Sequence, residues 1–151
     1  KSGNTPLITS HPPSHGKGLC SMKDPEHAHL LLEMARRDLT ALSNMTDRNR
    51  FADEIFGFHA QQAVEKALKC RLSEQGIAYP RTHDIEYLID CLEKNGVGIP
   101  SANELVDLND FAVQYRYEAF DNLEGTLDRE AVVMKITALL EEIAKSVNNP
   151  A

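Results

Sequence analysis

The sequence contains no apolar run long enough to cross a bilayer. Its apolar stretches are a few residues long, as in Ile136 to Leu140, which Thr137 interrupts, against the roughly 20 residues a spanning helix needs. The N-terminal residues lack the apolar segment followed by small residues that marks a secretory signal, so a cytoplasmic protein is the expectation. Cysteine is scarce and odd in number: Cys20, Cys70 and Cys91 form no CxxC pair, so neither a disulfide framework nor a zinc knuckle is indicated. Cys70 and Cys91 read instead as small buried residues on helices. Positive charge is also short, with 16 Lys and Arg against 23 Asp and Glu, a formal net charge of −7. Such a field repels phosphate backbones and argues against a broad nucleic-acid binder, though a local basic pocket stays open. No Walker loop, GxGxxG, HExxH or GxSxG is present, so neither a metal enzyme nor a serine hydrolase has support. His27 and His29, two residues apart, point to different sides of a helix and make no metal pair.

What is there is helical. Residues 1 to 21 are rich in Gly, Pro, Ser, Thr and His and carry almost nothing that could pack; they read as a disordered or leader tail, with Met22 as a candidate native start. Without Lys1 and Lys17 the charge of the remainder falls from −7 to −9. From 22 to 151 the apolar spacing predicts one domain. A first helix opens on Asp24-Pro25, a capping carboxylate and a proline at the first helical position, and carries Ala28, Leu31, Leu32, Ala35, Leu39 and Leu42 inward. A second runs from about Phe51 to Gln75, with Phe56, Ala60, Ala63, Val64, Ala67, Leu68 and Leu72 on one broad face, and stops at Gly76. Thr82 is placed to cap a third, with Ile85, Leu88, Ile89 and Leu92 inward and Asn95-Gly96 ending it. Ser101-Ala102-Asn103-Glu104 reads as a capping box for a fourth, whose stripe is Leu105, Leu108, Ala112, Tyr115 and Ala119. A fifth carries Val132, Ile136, Leu139, Leu140, Ile143 and Val147. No alternating strand and no internal repeat is present, so the expected fold is all-α, an antiparallel up-and-down bundle of about five helices.

Three groups of residues could carry chemistry. His59, Gln62, Lys66 and Lys69 fall within about 80° of one another on a helix and form one polar strip. It could receive a phosphate or carboxylate, with Gly57 allowing close approach of a backbone or ligand; the plainer reading is a solvated face whose lysines are neutralised by Glu65 and nearby acids. Arg116 falls on the stripe that should face the core, with Asn109 two turns earlier and Tyr115 and Tyr117 beside it. A guanidinium there requires a partner or a ligand, because a bare charge in a dry interior costs several kcal/mol. Tyr79-Pro80-Arg81-Thr82-His83-Asp84 joins a fixed turn, a cation, an imidazole and an acid at a helix N-terminus, an edge able to face an anion or simply to cap the helix.

These residues together resemble the HEPN domain family. Phe58-His59-Ala60-Gln61-Gln62-Ala63-Val64-Glu65-Lys66-Ala67-Leu68-Lys69 is similar to its second-helix signature, Tyr79-Pro80-Arg81-Thr82-His83-Asp84-Ile85 to its Pro-x-Thr-His-Asp segment, Ala35-Arg36-Arg37-Asp38-Leu39 to its first-helix Ala-x-x-Asp-Leu, and Tyr115-Arg116-Tyr117 to its fourth-helix Arg-Tyr. The four occur in the family's order across residues 28 to 147. The resemblance implies a HEPN-like four-helix core, a homodimer, and a minimal nucleotidyltransferase encoded in an adjacent gene, in a toxin-antitoxin-like pair. Many HEPN domains are metal-independent ribonucleases marked by an Arg followed four to six residues later by a His. Here Arg116 is followed by Tyr117-Glu118-Ala119-Phe120-Asp121, and no histidine follows it anywhere. An ionised aspartate cannot replace the imidazole as proton shuttle and repels the scissile phosphate.

The resemblance thus points to the non-nuclease branch, for which nucleotide binding or pairing with a nucleotidyltransferase is the implied role. In that reading Lys66 and Arg116 contact the phosphate of a nucleotide such as ATP, His59, Gln62 and His83 supply polar contacts, Tyr115 or Tyr117 forms an aromatic wall, and no metal is needed. A ribonuclease using Arg116 with His83 or His59, and a purely structural helical dimer, are the alternatives; RNA is the less expected partner.

Overall fold

The computed structural model describes residues 22–112 and 127–149. The tail expected over residues 1–21, and the part of the chain that carries Tyr115, Arg116, Tyr117 and Ala119, lie outside the described residues. No strand occurs among the described residues, whose elements are α1 (Pro25–Asn44), α2 (Asp53–Gln75), α3 (Ile85–Lys94), α4 (Pro100–Asn103), the 3-10 turn Val106–Leu108, helical backbone at 109–112, and α5 (Arg129–Asn148).

Helix α1 begins where its cap requires. The Asp24 carboxylate accepts the His27 amide at 2.9 Å and Pro25 takes the first helical position, satisfying one of the free amides of the first turn. Ala28, Leu31, Leu32, Ala35 and Leu42 are buried as the spacing predicts, while Leu39 is half-buried at the edge of the core. Helix α2 ends at Gly76, whose φ of 67° is the left-handed conformation that spares glycine a steric penalty. The Ile77 amide then returns to the Leu72 carbonyl at 2.9 Å and closes the C-terminus.

Helix α2 is the axis of the molecule. Not one of its 23 residues is fully exposed, because α1, α3, α5 and Phe111 surround it. Ala60, Ala63 and Ala67 on α2 and Ala28 and Ala35 on α1, all at 0% exposure, let the two backbones approach closely. The Asp24 amide donates to the Ser73 carbonyl at 3.0 Å, so α1 and α2 run antiparallel. Helix α5 runs with α2: Arg129 meets Asp53 at its start and Ser146 meets Glu74 near its end. Cys70 is fully buried and Cys91 half-buried; burial pushes the Cys70 thiol up to about 12, so it behaves as a small apolar residue and not as a nucleophile.

Two helix starts differ from expectation. Asp84, not Thr82, caps α3: its carboxylate accepts the Tyr87 amide at 3.3 Å, while the Thr82 hydroxyl accepts the Asp84 amide at 3.1 Å and shapes the turn before it. The Asp84 side chain is one residue from the helix, within reach of its free amides; Thr82 is three away. The capping box at Ser101 and Glu104 does not form either. Pro100 is already helical, the Ser101 hydroxyl donates to Glu142 at 2.9 Å, and Glu104 pairs with Lys135 at 3.2 Å. The segment is broken into α4, the 3-10 turn and helical backbone at 109–112. The physical reason lies in its spacing: Ile99, Ala102, Leu105, Leu108 and Phe111 are the buried residues, a repeat of three that matches the 3-10 turn better than the 3.6 of an α-helix. Phe111 rather than Ala112 therefore faces inward.

Candidate functional site

The polar strip expected on α2 exists, and two carboxylates organise it. Asp38, the aspartate of the α1 Ala-x-x-Asp-Leu segment, projects from the neighbouring helix and accepts Lys66 Nζ at 2.6 Å through Oδ2; His59 Nδ1 lies 3.5 Å from its Oδ1. On α2 itself, Glu65 does the same for a second pair. Lys69 Nζ is 2.6 Å from Oε1 and His83 Nδ1 is 3.1 Å from Oε2. Each carboxylate thus gathers one ammonium and one imidazole, across α1–α2 in the first case and across α2 and the loop before α3 in the second.

Glu65 is the more deeply built of the two. Only 4% exposed, it also accepts Gln61 Nε2 at 3.1 Å and Gln62 Nε2 at 3.3 Å. Gln61, fully buried, spends the same amide group on the His83 carbonyl at 2.7 Å and accepts from Gln62 on its oxygen at 2.8 Å, so its polar atoms are satisfied as burial demands. Burial alone would push the Glu65 carboxyl up; the hydrogen bond and charge of Lys69, with the bonds from Gln61 and His83, outweigh it and hold the carboxyl below its ordinary 4.5. A group whose folded pKa is depressed stabilises the fold above its unfolded value and loses that contribution as the pH falls through the folded one. Acid unfolding below pH 4.5 is therefore expected to steepen through Glu65, and Glu65→Gln to flatten that limb; identical acid slopes for the two proteins, followed by far-UV circular dichroism, would contradict the assignment.

The loop edge is pinned from a second side. Asn109 Oδ1 accepts the Ile85 amide at 2.8 Å and its Nδ2 donates to Asp84 at 2.8 Å, so this residue, expected beside Arg116, secures the start of α3. Lys69 Nζ also sits 5.9 Å over the Tyr79 ring. Arg81, exposed, forms no ion pair with any described residue. Gly57 does permit a close approach, and the described occupant is the Phe111 ring of the same chain.

His59, Gln62, Lys66, Lys69 and His83 therefore come together along one side of α2, with both lysine charges taken up inside the chain. Arg116 and Tyr117 lie outside the described residues. Among the described residues no group of three His, Cys, Asp or Glu side chains could hold a metal ion, and no helix is long and apolar enough to cross a membrane.

Two residues of this framework escape the sequence reading. Asp38 appears there only as part of a motif, because a lone acid on a helix gives no sign that a neighbouring helix brings it a lysine. Arg129 is 4% exposed and donates to the Met45 and Phe51 carbonyls at 2.6 Å each and to Asp53 at 2.8 Å. Its signal was local: a cation at the first residue of a helix opposes the macrodipole and so needs another reason to be there.

No curated protein and no solved structure matches the chain significantly. The family model for the HEPN domain matches residues 28–149, from the first buried residue of α1 to the end of α5. The described all-helical architecture agrees with that match, and the chain belongs to the HEPN domain family.

Proposed function

We propose that this HEPN protein is a non-catalytic module that holds a nucleotide, ATP or a relative, on the α2 strip and pairs as a homodimer with a minimal nucleotidyltransferase from an adjacent gene, in a toxin-antitoxin-like arrangement. The observation that carries the reading is the pairing of one lysine and one histidine on each of Asp38 and Glu65. A charge-balanced, partly buried band of amides and imidazoles suits the base and sugar of a single nucleotide better than the repeating phosphates of a nucleic acid, and the net charge of −7 argues against the latter as well. The missing histidine after Arg116 supports a non-catalytic role.

Calorimetric titration with ATP and GTP, repeated on Lys66→Ala and Arg116→Ala, tests the binding. Heat with at least one nucleotide, weakened by either substitution, is the expected result; no heat with any nucleotide overturns the reading. Copurification of a nucleotidyltransferase with the tagged protein from its native host tests the partnership.

One observation favours the ribonuclease reading as the alternative. His83, with Nδ1 on a buried carboxylate, has the orientation of a proton-transfer group. That reading requires growth arrest on induced expression and RNA cleavage by the purified protein without added metal.

A further inference from the structure

His83 is held in one tautomer. Its Nδ1 lies 3.1 and 3.2 Å from the two oxygens of Glu65, and Glu65 is a carboxylate kept charged by Lys69 and its amide donors. A charged carboxylate has no hydrogen to give, so Nδ1 must be the donor, and in the neutral ring the other nitrogen is then a bare lone pair. The ring cannot turn over without breaking this contact. Its backbone is fixed as well, by Gln61 on the His83 carbonyl and by Asn109 on the next two residues. The side chain is 53% exposed, and no described residue bonds to Nε2.

The outward nitrogen is therefore an acceptor, which excludes a role for the neutral ring as a phosphate donor. Phosphate oxygens offer no hydrogen to a lone pair. Ribose hydroxyls both donate and accept, so they suit either tautomer. On a base, an exocyclic amino group or a ring N–H is a donor without an acceptor, and an imidazole locked in this way favours such a group over carbonyls and bare ring nitrogens, which only accept.

We infer that His83 Nε2 accepts a hydrogen bond from the amino group of the bound base, so that this site selects nucleotides that present a donor there, such as ATP, over those that present none. Glu65 is the positioning residue. The inference rests on the nucleotide-binding reading above and names which end of the ligand His83 faces.

Calorimetric titration at about pH 8 with ATP and with purine riboside 5′-triphosphate, which differ only in the 6-amino group, separates the two statements. The wild type is expected to bind ATP about threefold to tenfold more tightly, the worth of one neutral hydrogen bond. His83→Ala, a change at a half-exposed loop residue, is expected to bind both nucleotides equally. Glu65→Gln, checked by circular dichroism for retained helix, is expected to narrow the ratio by letting the ring adopt both tautomers. The 15N shifts of His83 read the tautomer without any ligand: a lone pair on Nε2 is required, and a hydrogen on Nε2 with a lone pair on Nδ1 overturns the inference. Equal wild-type affinity for the two nucleotides also overturns it while leaving nucleotide binding standing. Binding of neither overturns both.

Discussion

Arg129→Met is expected to destabilise the protein by about 3–5 kcal/mol, the range for removing one partner from a buried ion pair. Methionine keeps much of the apolar stem, so the loss reads the guanidinium and not a cavity. That group does three things at once. It donates to the Met45 and Phe51 carbonyls at 2.6 Å each, the two ends of the α1–α2 connection. It pairs with Asp53 at 2.8 and 3.3 Å at the start of α2. It also covers the Phe56 ring at 5.1 Å. Without it the carbonyls of half-buried Met45 and Phe51 lose a buried donor, each at up to about 1–3 kcal/mol. Arg48 reaches the same corner, donating to the Leu127 carbonyl and standing 3.9 Å from Asp53, but its side chain is 45% exposed and cannot follow the lost charge inside. Arg129→Lys is expected to recover little, because one ammonium cannot span two carbonyls and a carboxylate as the planar fork does. Urea unfolding checks this: the midpoint should fall with the slope unchanged, and amide exchange should rise over residues 45–52. A loss below about 1 kcal/mol for Arg129→Met would mean that the corner is held by apolar contact alone.

The contrast between Arg129 and the apolar stripes shows what in this chain is written locally. Helices α1, α2, α3 and α5 are legible because a period of three to four, an Asp cap at Asp24 and a glycine stop at Gly76 are all readable within a few residues. The segment from Ile99 to Phe111 misleads because leucines three apart fit both an α-helix and a 3-10 turn, and only packing against α2 and α5 decides between them. The strip on α2 is legible as a list of side chains, since His59, Gln62, Lys66 and Lys69 share a face by arithmetic. Its organisation is not. Asp38 stands 28 residues from Lys66 and His83 stands 18 from Glu65, and no local rule states that these acids meet those bases. Position along the helix tells which residues are neighbours; the charge state and tautomer of each are set by partners from other elements.

Gly57→Ala is expected to destabilise the protein, against the ordinary preference of helices for alanine. In the middle of a helix this exchange normally gains about 0.5–1 kcal/mol. Here a Cβ on residue 57 would lie 2.2 Å from Phe111 Cδ1, 2.3 Å from Cγ and 2.7 Å from Cε1, far inside contact distance for carbon. The ring cannot swing aside freely, because Phe111 is buried and its neighbour Asn109 is bonded to both Asp84 and Ile85. Overpacking of this kind costs about 1–3 kcal/mol, which exceeds the helix gain and sets the sign. The two terms can be separated by a double-mutant cycle. In the Phe111→Ala background the obstacle is gone, so Gly57→Ala should become neutral or stabilising, a reversal that independent sites cannot show. Chemical denaturation of the four proteins measures it. The same substitution also bears on α3: a displaced Phe111 pulls on Asn109, whose bonds fix Asp84 beside His83. Gly57→Ala should therefore alter the His83 ring signals although residue 57 does not touch that ring, whereas Phe111→Ala with Gly57→Ala should restore them. Additive stabilities, with His83 unmoved in every variant, would show that the notch at Gly57 and the loop before α3 are independent.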